Sequence, residues 1–230
     1  MLRTRAAALF VALIGVFTFV QPATAAQFII TETQFKNMFP TPTRNTFYTY
    51  AGLKNAMATF GSFANQGSDT VKKQELAAFL ANVSHETGGL HYIREINQNG
   101  DYCDETRPYG CPSTQKYYGR GPIQLSWNFN YKAAGDYLGI NLLTNPERVA
   151  TDATVSWRTA IWYWMTQNGP GTMTPHNAMV NSRGFGQTIR SINGSLECDG
   201  RNPGTVESRV SKYRSFTSII GVATGSNLYC

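Results

Sequence analysis

Beyond residue 25 the chain has no apolar run of the ~20 residues that a membrane-spanning helix needs. The mature protein is therefore expected to be soluble, with no membrane partner. It has no internal repeat and no long Pro-, Ser- or Gly-rich linker, which excludes a repeat array and leaves nothing to announce a second module. Alternation of apolar and polar residues at the spacing of strands is thin. No C-x-x-C pair is present, so the closely spaced thiol ligands of a zinc site are missing. A basic cluster is missing too. Lys and Arg total 20 against 14 Asp and Glu, and two of the 20, Arg3 and Arg5, fall in the first few residues. The remaining surplus of four is scattered, so no nucleic-acid partner is expected.

What is present begins with an address. Arg3 and Arg5 precede an uncharged apolar run over residues 6–20, Gln21-Pro22 breaks it, and Ala23-Thr24-Ala25 is a small-x-small cleavage site. That order reads as a secretory signal peptide over residues 1–25, followed by a single domain over 26–230. The protein is expected to be secreted, and as a monomer. Four cysteines remain: Cys103, Cys111, Cys198 and Cys230. An even count behind a leader favours two disulfides, and four cysteines allow three connectivities. Pairing of sequence neighbours, Cys103–Cys111 and Cys198–Cys230, faces the least closure cost and is favoured.

The periodicities predict a mainly α fold. Phe35, Met38 and Phe39 suggest a short first helix, and Leu53 to Phe60 a second. Asp69 or Thr70 can cap the clearest helix, in which Leu76, Phe79, Leu80 and Val83 recur at i, i+3, i+4, i+7 until Gly88-Gly89. Further helices are predicted from about Asn128 to Tyr137, from near Asp152 to the break at Gly169-Pro170, and from Val206 to Ile220. Residues 97–122 read as irregular, with small extended pieces near Tyr117 to Gln124.

Carboxylates are few. Glu86 falls where the clearest helix opens into a glycine turn, and Glu95 follows nine residues later. A glycosidase needs one acid to protonate the leaving oxygen and a second carboxylate as base or nucleophile, and this pair could supply them. The plainer reading of spacing alone is two surface glutamates, or partners for Arg94 and Arg120. His85-Glu86 opens like the zinc motif H-E-x-x-H, but Gly89 stands where the second histidine belongs. No metal and no cofactor is expected. The segment from Tyr117 to Tyr131 interleaves aromatic rings with Gln124, Ser126, Asn128 and Asn130, the groups an acetamido sugar calls for. Its plainer reading is a turn whose polar groups satisfy their own backbone.

Ser84-His85-Glu86-Thr87-Gly88-Gly89, the stretch from Tyr117 to Ser126 (YYGRGPIQLS), Phe47-Tyr48-Thr49-Tyr50, the stretch from Thr159 to Met165 (TAIWYWM) and the stretch from Ile192 to Cys198 (INGSLEC) together resemble the signatures of the family 19 glycoside hydrolases. These are chitinases, and the resemblance runs from about Phe35 to Cys230. It implies a two-lobed, mainly α, lysozyme-like fold with a substrate cleft and minor β structure. It implies endo-acting, inverting hydrolysis of β-1,4-linked N-acetylglucosamine in chitin or chitooligosaccharides. Glu86 would be the general acid and Glu95 the general base, ~6.5–9.5 Å apart as inverting pairs are. Ser126 would position the water; Gln124, Asn130 and Asn193 would bind sugar; His85 and Tyr109 would line the cleft; Glu197 and Arg209 would form an ion network beside the acid. The family's disulfides fall at the pairing favoured above. The short interval between Glu86 and Glu95 and the trimmed look of residues 166–185 resemble compact bacterial members and imply fewer outer subsites. Two other readings stay open: an endolysin that cleaves peptidoglycan with the same chemistry, and an inactive chitin-binding lectin.

Overall fold

The computed structural model describes residues 29–112 and 114–230. The leader expected over residues 1–25 lies outside them. Among the described residues nine helices carry the fold. Helix α1 (Glu32–Met38) starts from a reciprocal capping box between Thr31 and Gln34. Helix α2 (Tyr50–Met57) begins before the predicted Leu53, because the Thr49 side chain accepts from the Gly52 N–H and fixes the start there.

Helix α3 (Asp69–Glu86) is the axis of the molecule. Its cap is Ser68, not Asp69 or Thr70: Ser68 has the extended backbone of a cap, and its hydroxyl accepts from the Val71 N–H. Every residue from Glu75 to Ser84 is buried, so the helix is covered all round rather than along one stripe. Helix α4 (Asn128–Leu138) and the short α5 (Arg148–Thr151) pack on α6 (Ala153–Thr166), which Asp152 caps and which also leans on α2. Helix α6 stops at Thr166, short of Gly169-Pro170.

Helices α7 (Pro175–Val180) and α8 (Phe185–Glu197) were not visible in the periodicity. The first is under two turns long. The second contains Gly186 and Gly194 and is kinked at Asn193 (φ −145°, ψ 28°), which breaks up its pattern. Helix α9 (Pro203–Ile220) starts one turn before the predicted Val206, because Asn202 caps it and Pro203 suits the first turn. It makes the broadest contact with α3. The extended pieces expected near Tyr117 to Gln124 reduce to isolated bridges, Arg94 to Arg120 and Arg120 to Leu125.

The core is aromatic. Phe79 of α3 meets Phe63, Trp157 and Trp164, with Tyr48 against the far side of Trp157. Within it lies one fully buried carboxylate, Glu75, which accepts from the Ala64 N–H (3.0 Å), Trp164 Nε1 (3.0 Å) and His176 Nδ1 (2.6 Å). It fastens α3 to α6 and α7, and its three donors meet the condition for burying a charge. Both disulfides take the neighbour pairing. Cys103–Cys111 closes a surface loop, and Cys198–Cys230 ties the C-terminal tail to the end of α8.

Candidate active site

Glu86 is the last residue of α3, with its side chain 20% exposed. Just past it, the Thr87 hydroxyl donates to Val83 O and accepts from the Leu90 N–H, both at 2.7 Å. The chain thus turns off the helix at a fixed point. Glu86 is paired with the guanidinium of Arg209, brought by α9. Arg209 is only 1% exposed and is fully engaged. It donates from Nε to Glu197 Oε2 (2.8 Å), from Nη2 to Glu197 Oε1 (2.7 Å) and from Nη1 to Asn82 Oδ1 (3.1 Å). The kink in α8 lets Asn193 Nδ2 donate to Glu197 Oε1 at 2.8 Å. Burial works to raise the Glu197 carboxyl, but hydrogen bonds and charge from Arg209, with Asn193 adding to them, hold it below the usual range. Two carboxylates therefore share one buried cation, and Glu197 is held ionised.

Tyr163 of α6 completes this side, donating its hydroxyl to Ser191 O at 3.0 Å. Burial, with the charge of Glu86 behind it, pushes the Tyr163 phenol up to about 12. The contact depends on Gly169 (φ +52°), where a Cβ would stand 1.9 Å from Ser191 O and 2.5 Å from the Tyr163 hydroxyl. His85 is half-buried, its Nδ1 3.1 Å from Ser208 Oγ of α9.

Glu95 is held differently. It sits on irregular backbone, half-buried, and its own N–H donates to Gly119 O at 2.8 Å. Its carboxylate accepts from the Tyr102 hydroxyl (2.5 Å) and from the Gly119 N–H (3.0 Å). The hydrogen bond to Glu95, then burial and the carboxylate's charge, push the Tyr102 phenol up to about 12, so the proton stays on tyrosine. The residues flanking this pair are anchored by Glu147, which pairs with both Arg94 and Arg120. Arg120 is buried over the Tyr118 ring, 3.8 Å from its centroid.

Ser126 and Gln124 adjoin Glu95 across Gly119. A Cβ on that glycine would lie 2.9 Å from Gln124 Oε1 and 3.4 Å from Ser126 Oγ. Much of the polar capacity here serves the backbone, as the plainer reading held. Ser126 Oγ donates to Gln124 O, Gln124 Nε2 to Gly121 O and Asn130 Nδ2 to Ser126 O, each at 2.9 Å. Among the described residues the amide oxygens of Gln124 and Asn130 have no protein partner. Asn128 is different: it is buried and grips the disulfide loop through Asp104 and Gly110. Tyr102, Gln124 and Trp127 all have positive φ (52°, 51° and 74°), a conformation costing roughly 1–3 kcal/mol per residue. Trp127 lies edge-on to Tyr102, stacks on Phe129 and is 43% exposed.

Tyr109, expected to line the cleft, sits on the disulfide loop with the Lys132 ammonium 5.8 Å from its ring centroid. Tyr102 and Tyr163 were missed. For Tyr102 the available signal was its place immediately before Cys103, where a disulfide fixes the chain. A cavity of about 970 Å³, lined by Gln34, Lys54, Phe60 and Lys73 among others, includes neither glutamate.

A helix-borne carboxylate on a shared guanidinium and a loop-borne carboxylate among hydrogen-bond donors, in a mainly α body, are the equipment of a glycoside hydrolase. The class narrows on comparison with known proteins. The profile of glycoside hydrolase family 19, chitinase class I, matches residues 29–230, and the chain belongs to that family. Chitinase 4 of Oryza sativa subsp. japonica is 46% identical over 208 residues, covering 88% of this chain and 70% of that protein. Endochitinase A of Zea mays is 45% identical over 185 residues, covering 80% of this chain and 63% of that protein. The chain thus spans less than two thirds of the maize relative. The crystal structure of chitinase C from Streptomyces griseus superposes with a TM-score of 0.87 at 63% identity, covering 90% of this chain and 99% of that one. The fold is the mainly α, two-lobed, lysozyme-like one.

Proposed function

We propose that the protein is a secreted endochitinase that hydrolyses β-1,4 linkages between N-acetylglucosamine units with inversion, Glu86 acting as general acid and Glu95 as general base. The observation that carries this reading is the contrast between the two carboxylates. A general acid must arrive with a proton. Where two carboxylates share the single cation of Arg209 and Glu197 is kept ionised, one proton on Glu86 brings the triad to neutrality. A general base must arrive without one. Glu95 meets two donors and no acceptor, the arrangement suited to an ionised carboxylate.

In the reaction Glu86 gives its proton to the glycosidic oxygen as the bond to the anomeric carbon breaks. Glu95 takes a proton from a water that attacks that carbon from the opposite face. Ser126, next to Glu95 across Gly119, holds the water. The open amide oxygens of Gln124 and Asn130, with Asn193, His85 and the Trp127 ring, bind sugar. Two disulfides suit an oxidising compartment and support secretion.

Glu86→Gln is expected to cut kcat on chitooligosaccharides by ~10²–10⁴-fold or more while sugar binding survives. Proton NMR of the fresh product is expected to show the α-anomer. A β-anomer, or near-normal turnover in the variant, would remove the reading. Chitin oligomers and cell-wall sacculi incubated side by side separate chitinase from endolysin, and any release of reducing sugar excludes an inactive lectin.

A further inference from the structure

Behind the acid, two side chains that the reaction above does not use, Ser208 and Lys212, form a hydrogen-bonded chain with His85. On α9, Lys212 Nζ donates to Ser208 Oγ at 2.9 Å, and the same oxygen lies 3.1 Å from His85 Nδ1. An ammonium can only donate, so Ser208 Oγ accepts from Lys212 and keeps its own proton to give. Among the described residues His85 Nδ1 is the one acceptor that proton meets. With that hydroxyl donating to Nδ1, the ring's own proton sits on Nε2.

We propose that Ser208 and Lys212 are positioning residues of the acid site, which together lock His85 as the neutral Nε2–H tautomer and keep a further positive charge away from Glu86. The proposal rests on the acid role of Glu86. The charged groups acting on the ring are Glu197 from α8 and Arg209 and Lys212 from α9, and Glu86 is its neighbour in the chain. Burial, then Arg209, and Lys212 against the pull of Glu197, bring the imidazole down to about 4. The balance matters because the triad is already matched. An imidazolium beside Glu86 would favour the ionised carboxylate and strip the acid of its proton.

Long-range ¹H–¹⁵N correlation spectra of the whole protein test the lock without reference to activity, with His85 assigned from a His85→Gln variant. The expected native spectrum shows a bare Nδ1 and a protonated Nε2 from about pH 5 to 8. Lys212→Met is expected to move the ring's titration upward, toward the ordinary value of 6.5. Ser208→Ala is expected to give a mixture of tautomers, and Ser208→Thr to restore the single form. Alongside, Lys212→Met is expected to lose kcat at about pH 5 and to regain it by about pH 8. A native proton on Nδ1, a native ring titrating near 6.5, or an unmoved titration in Lys212→Met would overturn the lock. A moved titration with an unchanged pH dependence of kcat would overturn its link to Glu86. Full activity in Glu86→Gln would instead overturn the acid assignment and leave the spectra standing.

Discussion

Glu86 and Glu95 stand nine residues apart in sequence and are held by unlike means. The Glu86 side is helical. It ends a buried helix, and its partner Arg209 is held in turn by Glu197 and Asn82, so that α3, α8 and α9 meet there. The Glu95 side is irregular. It is held by single backbone bridges, a phenol, a disulfide-closed loop and three residues at positive φ. On the first side the groups that set the chemistry are also core members, so function and stability are coupled. On the second, precision comes from local hydrogen bonds in a segment that buries less, so the two are separable.

Three substitutions would break or sharpen that contrast. Arg209→Met has the largest expected effect. It leaves Glu197 buried without its cation, which typically costs ~3–5 kcal/mol. Thermal unfolding should show a drop in Tm of many degrees together with loss of activity. A variant that lost activity at unchanged Tm would break the coupling claimed for the helical side. Tyr102→Phe comes second. It removes the hydroxyl that donates to Glu95, and should lower kcat ~10-fold or more with KM little changed. Its Tm should stay near that of the parent protein, and a large fall would show that the irregular side is also a stability element.

Asp199→Asn has the smallest expected effect and probes the end of α8. Hydrogen bonds from Arg190 and then Arg201 hold the Asp199 carboxyl well below the usual aspartate range. A folded-state value below the unfolded one, ~3.9 for aspartate, gives stability that is present above the unfolded value and lost as pH falls through the folded one. The pair is exposed, so screening keeps it small. A slight fall in Tm at neutral pH should shrink steadily below about pH 4, when measured in acid series. A difference that persisted in strong acid would mean that Asp199 acts through something other than charge.

The legible part of the molecule follows the same division. The stripe Leu76, Phe79, Leu80, Val83 placed α3 and hence Glu86, because a helix repeats every 3.6 residues and writes its buried face into the sequence. The neighbour pairing of the cysteines could be reasoned from closure cost. The seating of Glu95 could not. Gly119 offers a backbone N–H that no residue type encodes, and Tyr102 reaches the carboxylate through a backbone at φ 52° that nothing in the sequence requires. Ser126, Gln124, Asn128 and Asn130 were all visible as polar groups. Their sequence did not reveal that Asn128 serves the disulfide loop while the amide oxygens of Gln124 and Asn130 stay open. Helix α8 was hidden by its kink at Asn193, the very feature that lets that residue reach Glu197.

By itself, then, the sequence determined a mainly α class of fold and the partners of the cysteines, since periodicity and closure cost are properties of the chain. Only the tertiary structure decided which charges share a cation and which hydroxyl meets which carboxylate. Those contacts join Glu86 to Arg209 and His85 to Ser208 across more than a hundred residues, and local preference has no reach over that distance.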